Sequence, residues 1–303
     1  MREPPFSGVP KTMFAEFLQF LFSGLTVGAI YALVGLGFAI IYNASHVINF
    51  AQGEFVMLGG MGTVFFIGLG MPMPGAVLLA VFLTVIVGLA LEKFAVEPAR
   101  DAPIVTLIII TIGASIFLRG SAQVIWDRNF HSMPAFSGNE PILIGGASIL
   151  PQSLWILGST VVIVIALQLF FNRTMTGKAI IATSHNPLAA QLMGINTRMV
   201  LLVSFGLSAL LGSSAGILIA PISLTYTGVG IMLGLKGFCA AVLGGLGKPM
   251  GAIAGGLIVG ISEAMTAGYL SSAYKDAVAF IIILAVLFFM PNGLFGGRHM
   301  ERV

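Results

Sequence analysis

The sequence predicts an all-α polytopic integral membrane protein, with eight or nine transmembrane helices in a glycine-rich bundle. Three observations carry this. Hydrophobic residues make up 57% of 303 positions and charged residues only 8%, with a mean hydropathy of +1.04. A soluble domain carries about 25% charged residues to cover its surface, so most of this surface must face lipid. The apolar residues fall into long runs separated by short polar links. The 39 glycines include small residues spaced four apart, which let transmembrane backbones approach closely.

About 20 apolar residues cross the hydrocarbon core, and backbone groups there must be bonded within their own segment. Candidate spans are 14–42, 55–70, 75–91, 104–119, 150–171, 199–221, 231–247, 251–267 and 277–291. The membrane-embedded body is thus 14–296, with tails at 1–13 and 297–303. The first span is long for a bilayer at about 1.5 Å per residue. It must tilt or break, and Gly35 and Gly37 mark the expected break. The N-terminus MREPPFSGVPKTM has the wrong order for a signal peptide and reads as a short tail before an uncleaved span.

Loop charge orients the chain. One side holds eight Lys and Arg residues, against five if Arg119, at a span end, is counted with the other side. Nine spans then put the N-terminus outside and the C-terminus inside. Eight would bring the N-terminus in. Arg173, Lys178 and Arg198 cluster on the inner side. The spaced pairs Gly24/Gly28, Gly212/Gly216, Gly251/Gly255 and Gly256/Gly260 predict close helix contacts, within the chain or against a partner.

Several chemistries lack their residues. Cys239 is the single cysteine, which excludes an intramolecular disulfide or a thiolate cluster. The four histidines, at 46, 131, 185 and 299, are far apart in sequence, and HExxH and GxSxG are absent. No stretch fits the phosphate-cradling G-x-x-x-x-G-K-[ST]: GGLGKP (244–249) places Pro249 after Lys248, and TGKA (176–179) lacks the first glycine. The reading is therefore a non-enzyme with no cofactor and no metal, and any ATP drive must come from a partner. The net charge of +3 is too small and scattered to suggest nucleic acid.

Two places concentrate polar chemistry. The stretch YNASHVINFAQGEF (42–55) carries Asn43, Ser45, His46, Asn49, Gln52 and Glu54 between apolar spans. A polar turn at the interface is one reading. A broken or re-entrant segment facing the bundle interior is the other, since irregular backbone at membrane depth is tolerated only there. Inside spans, Lys236 and Glu263 fall at similar depth, roughly 6–8 Å from the outer ends at 1.5 Å per residue. They could pair with each other or meet substrate, as intramembrane charges do.

The loop 172–198, NRTMTGKAIIATSHNPLAAQLMGINTR, is longer than a connector needs. Asn186 and Pro187 read as the cap and first position of a short helix, Ala189 and Ala190 as a flat small face, Gly194 and Asn196 as its end. Such a helix suits docking into a groove on another protein, or is simply a helical surface loop.

The spacing Leu188-Ala189-Ala190-x-x-x-Gly194 resembles the EAA loop of ABC importer permeases, with Leu188 where the general motif has Glu. INFAQGE (48–54), with Gln52 where His is common, GLTVGAIYALVGLGFAIIY (24–42), GLKGFCAAVLGGLG (234–247) and the run 263–296 resemble the LivH type, the branched-chain amino acid permeases. The resemblance spans nearly all of 14–296.

It implies a transmembrane permease subunit of an ABC importer in a bacterial cytoplasmic (inner) membrane, carrying branched-chain or related small amino acids. The implied partners are a second, LivM-like permease subunit, two ABC ATPases, an external substrate-binding protein and membrane lipid. The short helix of 172–198 would then be the cytoplasmic coupling helix, with Asn186, Ala189, Ala190, Gly194 and Asn196 as its coupling residues. Asn43, Asn49, Gln52, Glu54, Lys236 and Glu263 are the expected substrate path. Relatives carrying urea or short amides are an alternative. An ion-coupled secondary transporter is a further one, with only Glu54 and Glu263 as buried carboxylates and no use for a docking helix.

Overall fold

A computed structural model describes residues 13–296. The tails 1–12 and 297–303, including His299, lie outside the described residues. The helices are α1 (Met13–Ser45), α2 (Gln52–Gly68), α3 (Met73–Leu91), α4 (Ile104–Trp126), α5 (Pro151–Arg173), α6 (Met175–His185), α7 (Pro187–Leu192), α8 (Thr197–Ile219), α9 (Val229–Gly244), α10 (Pro249–Tyr269) and α11 (Lys275–Phe289). A π turn (Glu92–Val96) and a 3-10 turn (Glu97–Ala99) extend α3, and a 3-10 turn (Ser272–Tyr274) precedes α11.

Each of the nine expected spans corresponds to one of these helices. Among the described residues, seven helices are long and apolar enough to cross a membrane, counting α3 and α11 with their adjoining turns. The other two, α2 with 17 residues and α9 with 16, are shorter, and their position explains why. They start inside the bundle rather than at its surface.

α1, α2, α8, α9 and α10 form the centre. α2 is buried over its first twelve residues, Gln52 to Thr63, and α1 over nearly all of Gly28–Ile41. α3, α4, α5 and α11 surround them and present large apolar side chains outward, such as Ile109, Phe117 and Val124 on α4 and Leu284, Phe288 and Phe289 on α11. An exposed apolar belt of this extent is a lipid-facing surface.

The break expected at Gly35 and Gly37 is absent. α1 runs unbroken for 33 residues, about 50 Å against a hydrocarbon core of about 30 Å. Gly35 and Gly37 serve close packing instead. A Cβ at Gly35 would lie 3.1 Å from the Gly237 carbonyl oxygen, and one at Gly37 would collide with the Gln52 side chain. The spaced glycines pack within the chain. Gly24 and Gly28 face Gly260 and Gly256 across α1 and α10, where a Cβ on Gly260 would sit 2.4 Å from the Gly28 Cα. Gly212 and Gly216 of α8 face Phe55 and Val56 of α2, and Gly251 and Gly255 of α10 face Gly244 and Ala240 of α9.

α4 runs seven residues past the expected span end, so Arg119 lies inside a helix rather than at a loop. Between α4 and α5 stands a small hairpin, β1 (Ile142–Ile144) and β2 (Ala147–Ile149), with Ile142 opposite Ile149. Its two-residue turn is Gly145-Gly146, both at positive φ, the conformation that hairpin twist favours. It is tied to α1 by Gln19, whose side chain bonds both the N–H and the carbonyl of Ser148 at 2.7 and 2.9 Å.

Candidate functional site

The polar stretch 42–55 divides in three. Asn43 and Ser45 end α1, His46–Ala51 form a non-helical link, and Gln52 and Glu54 stand in the first turn of α2. Val47, Asn49 and Ala51 in the link are buried. Its backbone is held by side chains: the Val47 N–H donates to Ser45 Oγ at 3.1 Å, the Ala51 N–H to Asn49 Oδ1 at 3.1 Å, and the Phe50 N–H to Thr111 Oγ1 of α4 at 3.3 Å. A link bonded this way inside the bundle satisfies the rule that irregular backbone at membrane depth must be covered by protein.

The start of α2 can be located along the bundle. Gln52 Nε2 donates to the Ser208 carbonyl at 3.2 Å, and Ser208 Oγ bonds Gln52 Oε1 and lies 3.0 Å from the Gly37 carbonyl oxygen. Ser208 is eleven residues from each end of α8. α2 therefore begins halfway along α8, about 16 Å from either end at 1.5 Å per residue.

α9 begins at the same place. A Cβ on Gly53 would lie 2.2 Å from the Gly230 carbonyl oxygen, and one on Gly230 would lie 2.2 Å from that of Gly53. Only glycine fits at either position. The chain leaves α8 at Ile219, bonds His131 of the long loop through the Thr225 backbone, rests Thr225 against Gly60, and dips to Val229. Two helix N-termini thus abut in the interior. Their first turns carry the positive end of the helix dipole, while the N–H groups of Gln52, Glu54, Val229 and Ile231 donate to the carbonyls of Asn49, Ala51, Tyr226 and Gly228 just before each helix.

Glu54 sits at this junction, 2% exposed. Its Oε1 accepts from Ser115 Oγ at 2.8 Å and from Arg119 Nη2 and Nε at 2.9 and 3.2 Å. Its Oε2 is buried and has no hydrogen-bond partner, and the same holds for Asn49 Nδ2. Glu54, Ser115 and Arg119 line a cavity of about 170 Å³ between α2, α4, α9 and α1, walled mainly by Phe38, Ile112, Ile231 and Phe238. Arg119 is a quarter exposed along its side chain. It was masked in the sequence by its place at an apparent span end. The signal that exposes it is the apolar run continuing to Trp126.

Of the six expected path residues, Glu54 alone lines this cavity. Gln52 and Asn49 build the junction behind it. Asn43, in the last turn of α1, stands against Gly247 and lines a different cavity beside α5 and α6. Lys236 and Glu263 form a separate closed cluster: Lys236 Nζ bonds Glu263 Oε1 and, at 2.6 Å, Asp276 Oδ1, while Tyr31 OH donates to Glu263 Oε2 at 2.7 Å. Asp276 and Tyr31 had no signal of their own in the sequence.

The loop 172–198 folds as two helices, where one was expected. Thr174 Oγ1 caps α6 by accepting from the Gly177 N–H at 2.9 Å, and Asn186 Oδ1 caps α7 by accepting from the Ala189 N–H at 3.0 Å. Gly194 takes φ +83° and ends the α7 turn. Asn196 does not end α7. It caps α8, accepting from the N–H groups of Arg198 and Met199. Ala189 and Ala190 do not share one exposed face, because Ala190 is buried, and the side chains presented outward are Leu188, Leu192 and Met193, 70 to 83% exposed.

A family model described as branched-chain amino acid transport system / permease component matches residues 20–287. The chain is 34% identical over 306 residues to the high-affinity branched-chain amino acid transport system permease protein LivH of Escherichia coli strain K12, covering 96% of this chain and 99% of that one. It is 32% identical over 302 residues to the corresponding permease protein BraD of Pseudomonas aeruginosa, at 95% and 98% coverage. Among solved structures, PsaBC from Streptococcus pneumoniae in complex with Fab shares the fold, with a TM-score of 0.51 and 15% identity over 92% of this chain and 97% of that chain.

Proposed function

We propose, from the premise that this chain belongs to the permease-component family of branched-chain amino acid transport systems, that it is the transmembrane permease subunit of an ABC importer for branched-chain amino acids. It is a multi-pass protein of the cytoplasmic membrane. The observation that carries the reading is the family match over residues 20–287. The junction of broken helices around Glu54 agrees with it, since transporters place their substrate pathway where discontinuous helices meet near the midplane.

In this reading the solute arrives from an external binding protein and leaves on the side of α6 and α7. A second permease chain completes the pathway, and two partner ATPases close against the exposed Leu188, Leu192 and Met193 of the α7 turn. An apolar cluster of that size on a short helix outside the span region is the kind of face that seats in a groove. The motion passes into α8, which Asn196 caps directly after the turn, and α8 carries Ser208 and hence the start of α2.

The test is ATP hydrolysis by this chain reconstituted with its partner subunits in proteoliposomes, with the binding protein empty, loaded with leucine, or loaded with urea. Stimulation by the leucine-loaded form alone is expected. Stimulation by urea alone would move the substrate class, and indifference of an assembled complex to all three would remove the reading. Replacing Leu192 and Met193 by Asp should abolish the stimulation while the helices stay folded, because exposed substitutions usually change stability by within about 0.5 kcal/mol.

A further inference from the structure

The proposed function says that an amino acid passes through the protein. The cavity beside Glu54 says more, because its chemistry has three parts that match three parts of one ligand class. We infer that this chain holds an intramembrane site for a zwitterionic aliphatic α-amino acid, with Glu54 taking the ammonium group and Arg119 the carboxylate. The inference rests on the permease reading and adds to it a site of recognition inside the chain.

The first part is the unused acceptor. Glu54 spends Oε1 on Ser115 and Arg119, while Oε2 is buried without a partner. A buried carboxylate oxygen left unpaired keeps the cost of its lost hydration. An ammonium donor entering the cavity would relieve that cost.

The second part is the excess of positive potential. One carboxylate faces one guanidinium and two helix N-termini, those of α2 and α9, each equivalent to roughly half a positive charge. Arg119 reaches Glu54 and Ser115 through Nε and Nη2, which leaves the Nη1 edge for another anion. A guanidinium fork suits a carboxylate geometrically.

The third part is the wall. Phe38, Ile112, Ile231, Leu235 and Phe238 line the cavity with apolar surface, against which an aliphatic side chain would pack. The 170 Å³ compares with about 10–15 Å³ needed, in the same measure, to hold one water. Urea or a short amide has neither a full cation for Oε2 nor an anion for Arg119, so the site distinguishes between the two substrate classes the sequence left open.

The experiment measures binding to the complex of this chain with its partner subunits in nanodiscs, with the binding protein omitted. The probes are labelled leucine and 4-methyl-2-oxopentanoate, which keeps the carboxylate and side chain of leucine and lacks the ammonium group. The wild-type complex should bind leucine more tightly than the keto acid. Glu54→Gln should weaken leucine by about ten-fold or more, the scale of a lost buried charge contact, and leave the keto acid unchanged. Arg119→Gln should weaken both. Ile112→Trp, which fills the cavity from α4 and removes neither charge, should weaken both as well.

A merely structural role for Glu54 would lower both ligands together, and that result overturns the inference. So would full leucine affinity in Ile112→Trp, or absence of leucine binding to the wild-type complex. Stimulation of ATP hydrolysis by the leucine-loaded binding protein, measured on the same wild-type nanodiscs, separates the two failures. Stimulation without intramembrane binding sinks the site and keeps the permease reading, and loss of both sinks the two together.

Discussion

Among the described residues two buried ion pairs stand inside the helices, and they differ in how fully their groups are partnered. In the pair Lys236–Glu263 both carboxylate oxygens are occupied, one by Lys236 and one by Tyr31, and the lysine has a second carboxylate in Asp276. In the pair Arg119–Glu54 one carboxylate oxygen is left without a partner and the pair borders a cavity. The closed cluster joins α1, α9, α10 and α11. The open one joins the starts of α2 and α9 to α4. A fully partnered buried network rigidifies the helices it joins, whereas a half-partnered one leaves a polar group with an uncompensated cost of burial. A cation–carboxylate pair is thus a clamp in one place and stands open to a cavity in the other, where the inferred site lies.

The largest expected effect tests the clamp. Lys236→Met leaves Glu263 buried without its cation, and breaking a buried pair costs about 3–5 kcal/mol. Unfolding in mixed micelles followed by circular dichroism should show that loss. Adding Glu263→Gln should recover most of it, and a double variant no better than the single would mean that the two do not act as a pair. Next comes Tyr31→Phe, which removes a hydrogen bond to a charged carboxylate and should cost about 1.5–3 kcal/mol in the same measurement.

Arg119→Gln should cost less, about 1.5 kcal/mol, the low end for hydrogen bonds to a charged group, because the Arg119 side chain is a quarter exposed and Ser115 still donates to Glu54 Oε1. If it proved as damaging as Lys236→Met, the contrast between clamp and receptive site would collapse. The smallest effect concerns the long loop after α4. The Asp127 carboxyl is held below its ordinary value by the hydrogen bond from the Asn129 N–H, with His131 also in contact. A depressed carboxyl contributes stability above its unfolded value, near 3.9, and loses it as pH falls through the folded value. Between about pH 5 and 8 Asp127→Asn should therefore be less stable than the parent by a constant amount, and the two should converge as pH falls below the unfolded value, near 3.9, and on through the folded one.

Much of the bundle was legible along the chain. Long apolar runs report their helices because a backbone in lipid must bond to itself, and the glycine pairs report close contacts because only a missing side chain permits them. The polar stretch 42–55 announced itself by contrast with its apolar flanks. Less was legible where meaning depends on a distant neighbour. Gly35 and Gly37 look like a helix break and are packing surfaces, since local propensity yields to the helices pressed against them. Asn196 looks like the end of α7 and caps α8, because a cap is defined by which N–H groups its side chain meets. Ala190 looks like half of a docking face and turns inward.

What the sequence determined by itself is the solvent, the number of apolar segments, the missing phosphate loop and the presence of Glu54 in a polar link. These are properties of composition and spacing, which survive any arrangement of the helices. Only the tertiary structure decided that α2 and α9 begin at the same interior point, that Arg119 and Ser115 of α4 meet Glu54 there, and that Lys236 is spoken for by Glu263 and Asp276. The ion pairs among those facts join residues separated by 27 to 65 positions; similar depth offered Lys236 and Glu263 as partners along the chain, but no local pattern brought Arg119 to Glu54 or Asp276 to Lys236. The contact is fixed by how closely glycine-lined helices pack, and that closeness is a property of the whole bundle.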